Sequence, residues 1–242
     1  MPVAEADTRI CAERVAPRCG VCANLFVSLT AEERADLDRM RKRSAFATKD
    51  LLFAQGEAAS RVFSMSEGVV RIYRLLPDGR RQVVGCALPG DFLGLTLQDS
   101  HALTAEAIEP VVACSFPRAG FRRLVDGNHF ALRRMNRLVS LELSAAHDRM
   151  MVLGRYTAEE KMAAFVLAWR ERQRPRIPGA KTIALPMSRR DIADYLGLTI
   201  DTVSRTFTKL ERGKIIAVVA GGVRVVDEER AAQLAAASPP KA

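Results

Sequence analysis

The stretch from Ser188 to Lys214, SRRDIADYLGLTIDTVSRTFTKLERGK, constrains this chain more than any other. Ser188 is followed three residues later by Asp191, a pairing that caps a helix start through reciprocal hydrogen bonds. That helix is expected to end near Leu196, because Gly197 can enter the left-handed backbone region that a sharp turn requires. Thr199 then caps a second helix running to about Arg212. Ala193 is small where the two helices would cross, and Ile192, Leu196, Leu198, Val203 and Phe207 can pack the pair together. The combination reads as a helix-turn-helix, a unit that lays its second helix in the DNA major groove. An ordinary helical hairpin is the plainer alternative.

On that reading the second helix offers Asp201, Thr202, Ser204 and Arg205 to bases or phosphates. Arg205 carries the planar fork suited to guanine O6 and N7, and Asp201 can accept from a cytosine amine. Ser204 can bond a base edge or a phosphate. Arg189 and Arg190, near the start of the first helix, are phosphate candidates. Lys209 and Arg212 suit the DNA backbone or a solvated face equally. The balance of 37 Lys and Arg against 28 Asp and Glu, a formal +9, fits a polyanionic partner. Downstream, KIIAVVAGGVRVVD reads as a hairpin turning at Ala220-Gly221-Gly222, a wing beside the helices.

The upstream text has a different rhythm. From about 49 to 118, short apolar runs alternate with Gly56, Gly68, Gly79 and Gly90, a spacing that suits a small antiparallel β-sandwich or roll. Pro77-Asp78-Gly79 marks one turn. Over 129–153 the period becomes helical. Leu132, Asn136, Val139, Leu143, Ala146, Met150 and Leu153 recur at alternating intervals of four and three, a heptad seam that asks for a partner helix. Self-pairing in a homodimer is expected, with packing on the chain's own β domain as the alternative. Gly154 is expected to close that helix. Thr157 with Glu160 starts another, apolar at Met162, Phe165, Val166 and Trp169, and Thr30 with Glu33 starts one over 30–43.

The expected fold class is α+β: a cysteine-bearing arm (1–24), an antiparallel β-roll (25–125), a dimerisation helix (126–156), a winged helix-turn-helix (157–232) and a disordered tail (233–242). The absence of any run of eighteen apolar residues predicts no membrane partner. MPVAEADTRICAERV lacks an apolar signal core, so a cytoplasmic protein is expected. No nucleophile–base pair, phosphate-cradling glycine loop or paired carboxylates point to an enzyme. Nor does any charged pair announce a ligand site inside the roll.

The five cysteines are odd in number, which with a reducing compartment argues against a disulfide scaffold. Cys11, Cys19 and Cys22 lie close together, the last two as Cys-x2-Cys, while Cys114 falls in a late strand of the roll. Three thiolates from an arm and one from a strand can surround a [4Fe–4S] cluster. Soft thiolates suit zinc equally, and a thiol redox switch or no cofactor at all are further alternatives. Cys86 reads as a buried small apolar residue. His101, His129 and His147 resemble no metal motif and read as surface or packing residues.

A β-roll, a long helix and a C-terminal winged helix-turn-helix, in that order over roughly 25–230, resemble the Crp/Fnr family. The glycine pattern, the PGDFLG turn and DIADYLGLTIDTVSR carry the resemblance. It implies a cyclic-nucleotide-binding-like roll and a homodimer on double-stranded DNA with a palindromic, Fnr-like box. It also implies recruitment or blocking of RNA polymerase, for which the loop Pro77-Asp78-Gly79-Arg80-Arg81 is a candidate surface. Family members read DNA with a glutamate, a serine and an arginine. Ser204 and Arg205 match, whereas Asp201 stands at the glutamate position. The cyclic-nucleotide branch uses a Glu after the PGDFLG-like turn and an Arg-Ser pair. Here Leu95 follows Gly94, and the later stretch is Ala102-Leu103-Thr104, so no cyclic nucleotide is expected. The three-plus-one cysteine plan resembles the oxygen-sensing Fnr branch in its alphaproteobacterial form. This implies a [4Fe–4S] cluster on Cys11, Cys19, Cys22 and Cys114 that controls dimerisation and DNA binding. A FixK-type regulator with no cluster, or with zinc or thiol-redox use of the cysteines, is the alternative.

Overall fold

The computed structural model describes residues 29–174, 179 and 181–236. The arm bearing Cys11, Cys19 and Cys22 lies outside the described residues, as do 237–242. The chain divides into two units, 1–142 and 143–242.

The first unit opens with helix α1 (Ala31–Met40), capped as expected by the reciprocal Thr30–Glu33 box. Eight strands follow: β1 (Lys42–Phe46), β2 (Leu51–Phe53), β3 (Arg61–Glu67), β4 (Val70–Leu75), β5 (Arg81–Ala87), β6 (Phe92–Leu93), β7 (Thr104–Ala107) and β8 (Val111–Pro117). They form two antiparallel sheets, ordered β1-β8-β3-β6 and β2-β7-β4-β5. Alternation along the strands sends Phe63, Met65, Val111 and Ala113 of one sheet, and Phe53, Val70, Ala105 and Ala107 of the other, into a common core. The four rhythmic glycines sit with φ between 80° and 99°. Gly68 is obligatory on a second ground, since a Cβ there would collide with the Pro110 carbonyl oxygen.

The opposite face of β3 and β8 carries a second apolar cluster, in which Val62, Cys114 and Phe116 meet Leu37 of α1 and Phe121 and Val125 of helix α2 (Arg118–Gly127). Helix α2 was not expected inside the roll. Its N-cap is Pro117, with no side-chain cap, so no local signal marks its start. A charged pair formed across one sheet of the roll was likewise not legible in the sequence. Arg71 of β4 and Glu106 of β7 pair at 2.5 Å with side chains only 17% and 11% exposed. They alternate with the core residues Val70, Ala105 and Ala107, so the pair points away from the core.

Helix α3 (His129–Arg155) runs through the division between the units, and Gly154 does not close it. The second unit continues with α4 (Ala158–Gln173), capped by the Thr157–Glu160 box, and β9 (Ile183–Ala184). Met162, Phe165, Val166 and Trp169 of α4 are all buried. Helices α5 (Arg189–Leu196) and α6 (Ile200–Arg212) come next, followed by the hairpin β10 (Ile216–Val219) and β11 (Gly222–Val225). Strand β11 pairs with β9 to make the wing a three-stranded sheet. A final helix, α7 (Glu228–Ala235), is capped by Asp227 and takes in residues 233–235, which the sequence assigns to the tail.

Among the described residues, no helix is long and apolar enough to cross a membrane.

Candidate nucleic-acid interface

The site is built from α5, the turn and α6. Ser188 Oγ accepts from the Asp191 amide at 3.1 Å, and Asp191 returns the bond to the Ser188 amide at 3.1 Å. Asp191 is buried, so the box also supplies the hydrogen bonds that a buried carboxylate needs. Gly197 closes α5 at φ 63°, and the Leu198 amide reaches back to the Ala193 carbonyl at 3.0 Å. Thr199 then caps α6 by accepting from the Thr202 amide at 3.1 Å.

One side of α6 packs inward. Val203, Thr206, Phe207 and Leu210 are buried, and the Thr206 hydroxyl donates to the Thr202 carbonyl at 2.7 Å. The other side presents Asp201, Ser204, Arg205, Thr208, Lys209 and Arg212, all exposed. Helical spacing of three and four residues puts them on a single face. Thr202 is half-buried at its edge, its hydroxyl 2.8 Å from that of Thr199. Ser204 donates its hydroxyl proton to the Ile200 carbonyl at 3.0 Å, which leaves the oxygen's outward side as an acceptor.

The basic residues divide. Arg205, Arg190 and Arg212 stand exposed. Arg189 is half-buried, its guanidinium 3.5 Å from the centre of the Phe207 ring, and burial pulls its pKa below the usual arginine value. Lys209 is paired with Glu159 of α4. Sequence reasoning passed over Thr208, one turn beyond Ser204 on the same face, and Arg224, exposed on the wing strand β11. The first is legible as the i+4 neighbour of Ser204. The second becomes visible only once β11 is paired.

Along the seam, Leu132, Val139, Leu143 and Met150 are 37%, 58%, 56% and 62% exposed, and Asn136 is exposed too. Ala146 and Leu153 are half-buried. A Leu153 methyl lies 3.6 Å from where a Cβ on Gly197 would stand, so this seam residue lies beside the turn between α5 and α6.

Of the cysteines expected to hold a cluster, only Cys114 is in view. It is 6% exposed within the apolar cluster that also contains Leu29, seven residues after Cys22 in the chain. Among the described residues, no group of three or more His, Cys, Asp or Glu side chains is placed to hold a metal ion. Cys86 is buried, as expected. His101 is a packing residue, 6% exposed and stacked on Phe53 with ring centres 3.9 Å apart. Thr104 is buried and accepts from the Gln55 amide at 3.0 Å.

Comparison with known proteins agrees with this architecture. Residues 43–128 match the cyclic nucleotide-binding domain, and residues 160–234 match the Crp-like helix-turn-helix domain. The chain is 46% identical to the nitrogen fixation regulation protein FixK of Bradyrhizobium diazoefficiens, over 96% of this chain and 97% of that one. It is 33% identical to the transcriptional activator protein Anr of Pseudomonas protegens, over 93% and 91%. The solved structure of FixK2 from Bradyrhizobium japonicum superposes with a TM-score of 0.76 at 36% identity, covering 82% of this chain and 99% of that one. The chain belongs to the Crp/Fnr family of DNA-binding transcription regulators, and it is not an enzyme.

Proposed function

We propose that this chain is a FixK-type regulator that binds a palindromic, Fnr-like DNA box as a homodimer. The observation that carries the reading is the division of α6 into a buried face and an outward polar face bearing Asp201, Ser204 and Arg205. Two acceptors followed by a five-donor fork suit a cytosine or adenine amine beside a guanine. Arg190, Arg212 and the wing's Arg224 add sequence-independent attraction to phosphates, as does Arg189 held on Phe207. The exposed seam of α3 supplies the second copy: two such stripes cover each other about a two-fold axis, matching the two-fold box. The hairpin tip from Pro77 to Arg81 is the candidate surface for RNA polymerase, with Arg80 exposed and bonded to Asp78 at 2.7 Å. The test is binding to a palindromic box against a scrambled duplex at fixed salt. A preference of about a thousandfold or more is expected, and equal affinity for both duplexes refutes the reading.

A second reading gives the cysteines a role in sensing oxygen or redox state. The observation favouring it is that Cys114 and Leu29, the first described residue, belong to the same apolar cluster. The buried, apolar setting of Cys114 suits a shielded ligand. A [4Fe–4S] cluster on Cys11, Cys19, Cys22 and Cys114 would supply oxygen-labile, thiolate-bound iron. The greater likeness to FixK than to Anr supports the first reading, in which DNA binding needs no cluster. Iron and sulfide assays on anaerobically purified protein separate the two. The FixK-type reading expects neither element, with equal DNA affinity under air and argon. Iron and sulfide that disappear in Cys114→Ser establish the cluster instead. Bound zinc, or a DNA affinity that follows thiol oxidation without metal, identifies the remaining uses of the thiols.

A further inference from the structure

Within the second unit, the end of α3 is tied to the first helix of the DNA-reading pair. The guanidinium carbon of Arg149 stands 5.4 Å from the centre of the Tyr195 ring on α5. That ring packs in turn on Phe165 of α4, with centres 5.6 Å apart. One turn beyond Arg149, Leu153 lies beside the turn at Gly197. The last residue of α5 is held as well, where the buried Lys161 donates from Nζ to the Leu196 carbonyl at 3.2 Å. Helix α5 therefore meets α4 through Phe165 and Lys161, and the last turns of α3 through Arg149. Arg149 is next in sequence to Met150, which is 62% exposed on the seam. The residue that grips α5 and the residue that meets the second copy share one turn of helix.

We propose that Arg149 is a positioning residue for DNA recognition. Its cation, held on the Tyr195 face, fixes the angle of α5 and α6 against the seam, and so sets the separation of the two recognition helices. The inference rests on the homodimer reading above. Once one half-site is bound, engaging the second is intramolecular, and its effective concentration peaks when the protein already presents its helices at the spacing of the site. A cation over an aromatic face in a partly dry setting is a directional contact. Losing it widens the range of angles, which lowers affinity at the matched spacing and relaxes the penalty at mismatched ones. A residue that merely stabilised the fold would weaken binding to every duplex alike.

The experiment uses the full chain and three classes of duplex: the two-fold box, the same box with its spacer lengthened or shortened by a base pair, and an isolated half-site. Arg149→Met keeps the aliphatic stem and removes the cation. Its affinity for the matched box is expected to fall about tenfold. Half-site affinity should hold, and the preference for the matched spacer over the altered ones should shrink. Arg149→Lys and Tyr195→Phe, which keep a cation and a ring face, should restore most of the preference, whereas Tyr195→Leu should not. A wild-type spacer preference in Arg149→Met, or a parallel loss on the half-site, overturns the inference while leaving the homodimer standing. A wild-type protein that binds the full box no better than the half-site overturns the homodimer reading, and the inference with it.

Discussion

The guanidinium carbon of Arg189 stands over the Phe207 ring, 3.5 Å from its centre, and so joins the first residue of α5 to the buried face of α6. Stacking leaves the in-plane N–H donors at the rim of the site while removing most of the side chain's freedom. Arg189→Ala is expected to weaken binding to matched and scrambled duplexes by similar factors. It should also lower the slope of log affinity against log salt by about one. An unchanged salt slope would show that the stacked cation touches no phosphate.

Arg205 has a different signature. Exposed at the centre of the outward face, it is placed for direct readout. Arg205→Ala should cost about 1–3 kcal/mol on the matched box and little on a scrambled one. Arg205→Lys should recover only part, because an ammonium lacks the two-pronged geometry. Equal losses on both duplexes would move Arg205 to the phosphate-binding set.

The seam is tested by a charge. Leu143→Asp places two carboxylates against each other across the expected two-fold axis and should shift the protein to monomer in sedimentation. Leu141→Asp is the control. It is just as exposed, at 58%, but lies about 200° around the helix from Leu143. Dimer loss in both variants, or in neither, would refute the seam drawn from Leu132 to Leu153.

His101 predicts how the first unit responds to acid. Burial, the largest influence, pushes its pKa below the ordinary value; nearby Glu57 opposes the shift and Arg118 adds to it. The unfolded chain therefore takes up a proton at about pH 6.5 that the folded site resists. The stability involved is intact above that pH, drains away as the pH falls toward the depressed folded value, and changes no further below it. His101→Gln should flatten this part of the profile, read as the urea midpoint between pH 7.5 and 5.5. A mutant slope equal to the wild type's would assign the acid sensitivity elsewhere.

Local signals carried much of this architecture. The boxes at Thr30, Thr157 and Ser188, and the turn at Gly197, involve partners three or four residues apart, and the structure forms each of them. What depended on distant partners was not legible. Arg189 reads as a free phosphate ligand until Phe207, 18 positions on, is folded beneath it. Arg71 and Glu106 stand 35 residues apart and meet only through the register of β4 and β7. Helix α2 lacks a capping side chain, while the last turn of α7 runs into 233–235, read as tail although Asp227 supplies a local cap at the helix start.

The bare stripe on α3 has a thermodynamic corollary. Apolar side chains that a second copy shelters tie resistance to heat to the amount of protein present, because mass action favours the sheltered form as the solution grows richer. Dilution alone should then lower the melting temperature of this chain, with no change in pH, salt or sequence.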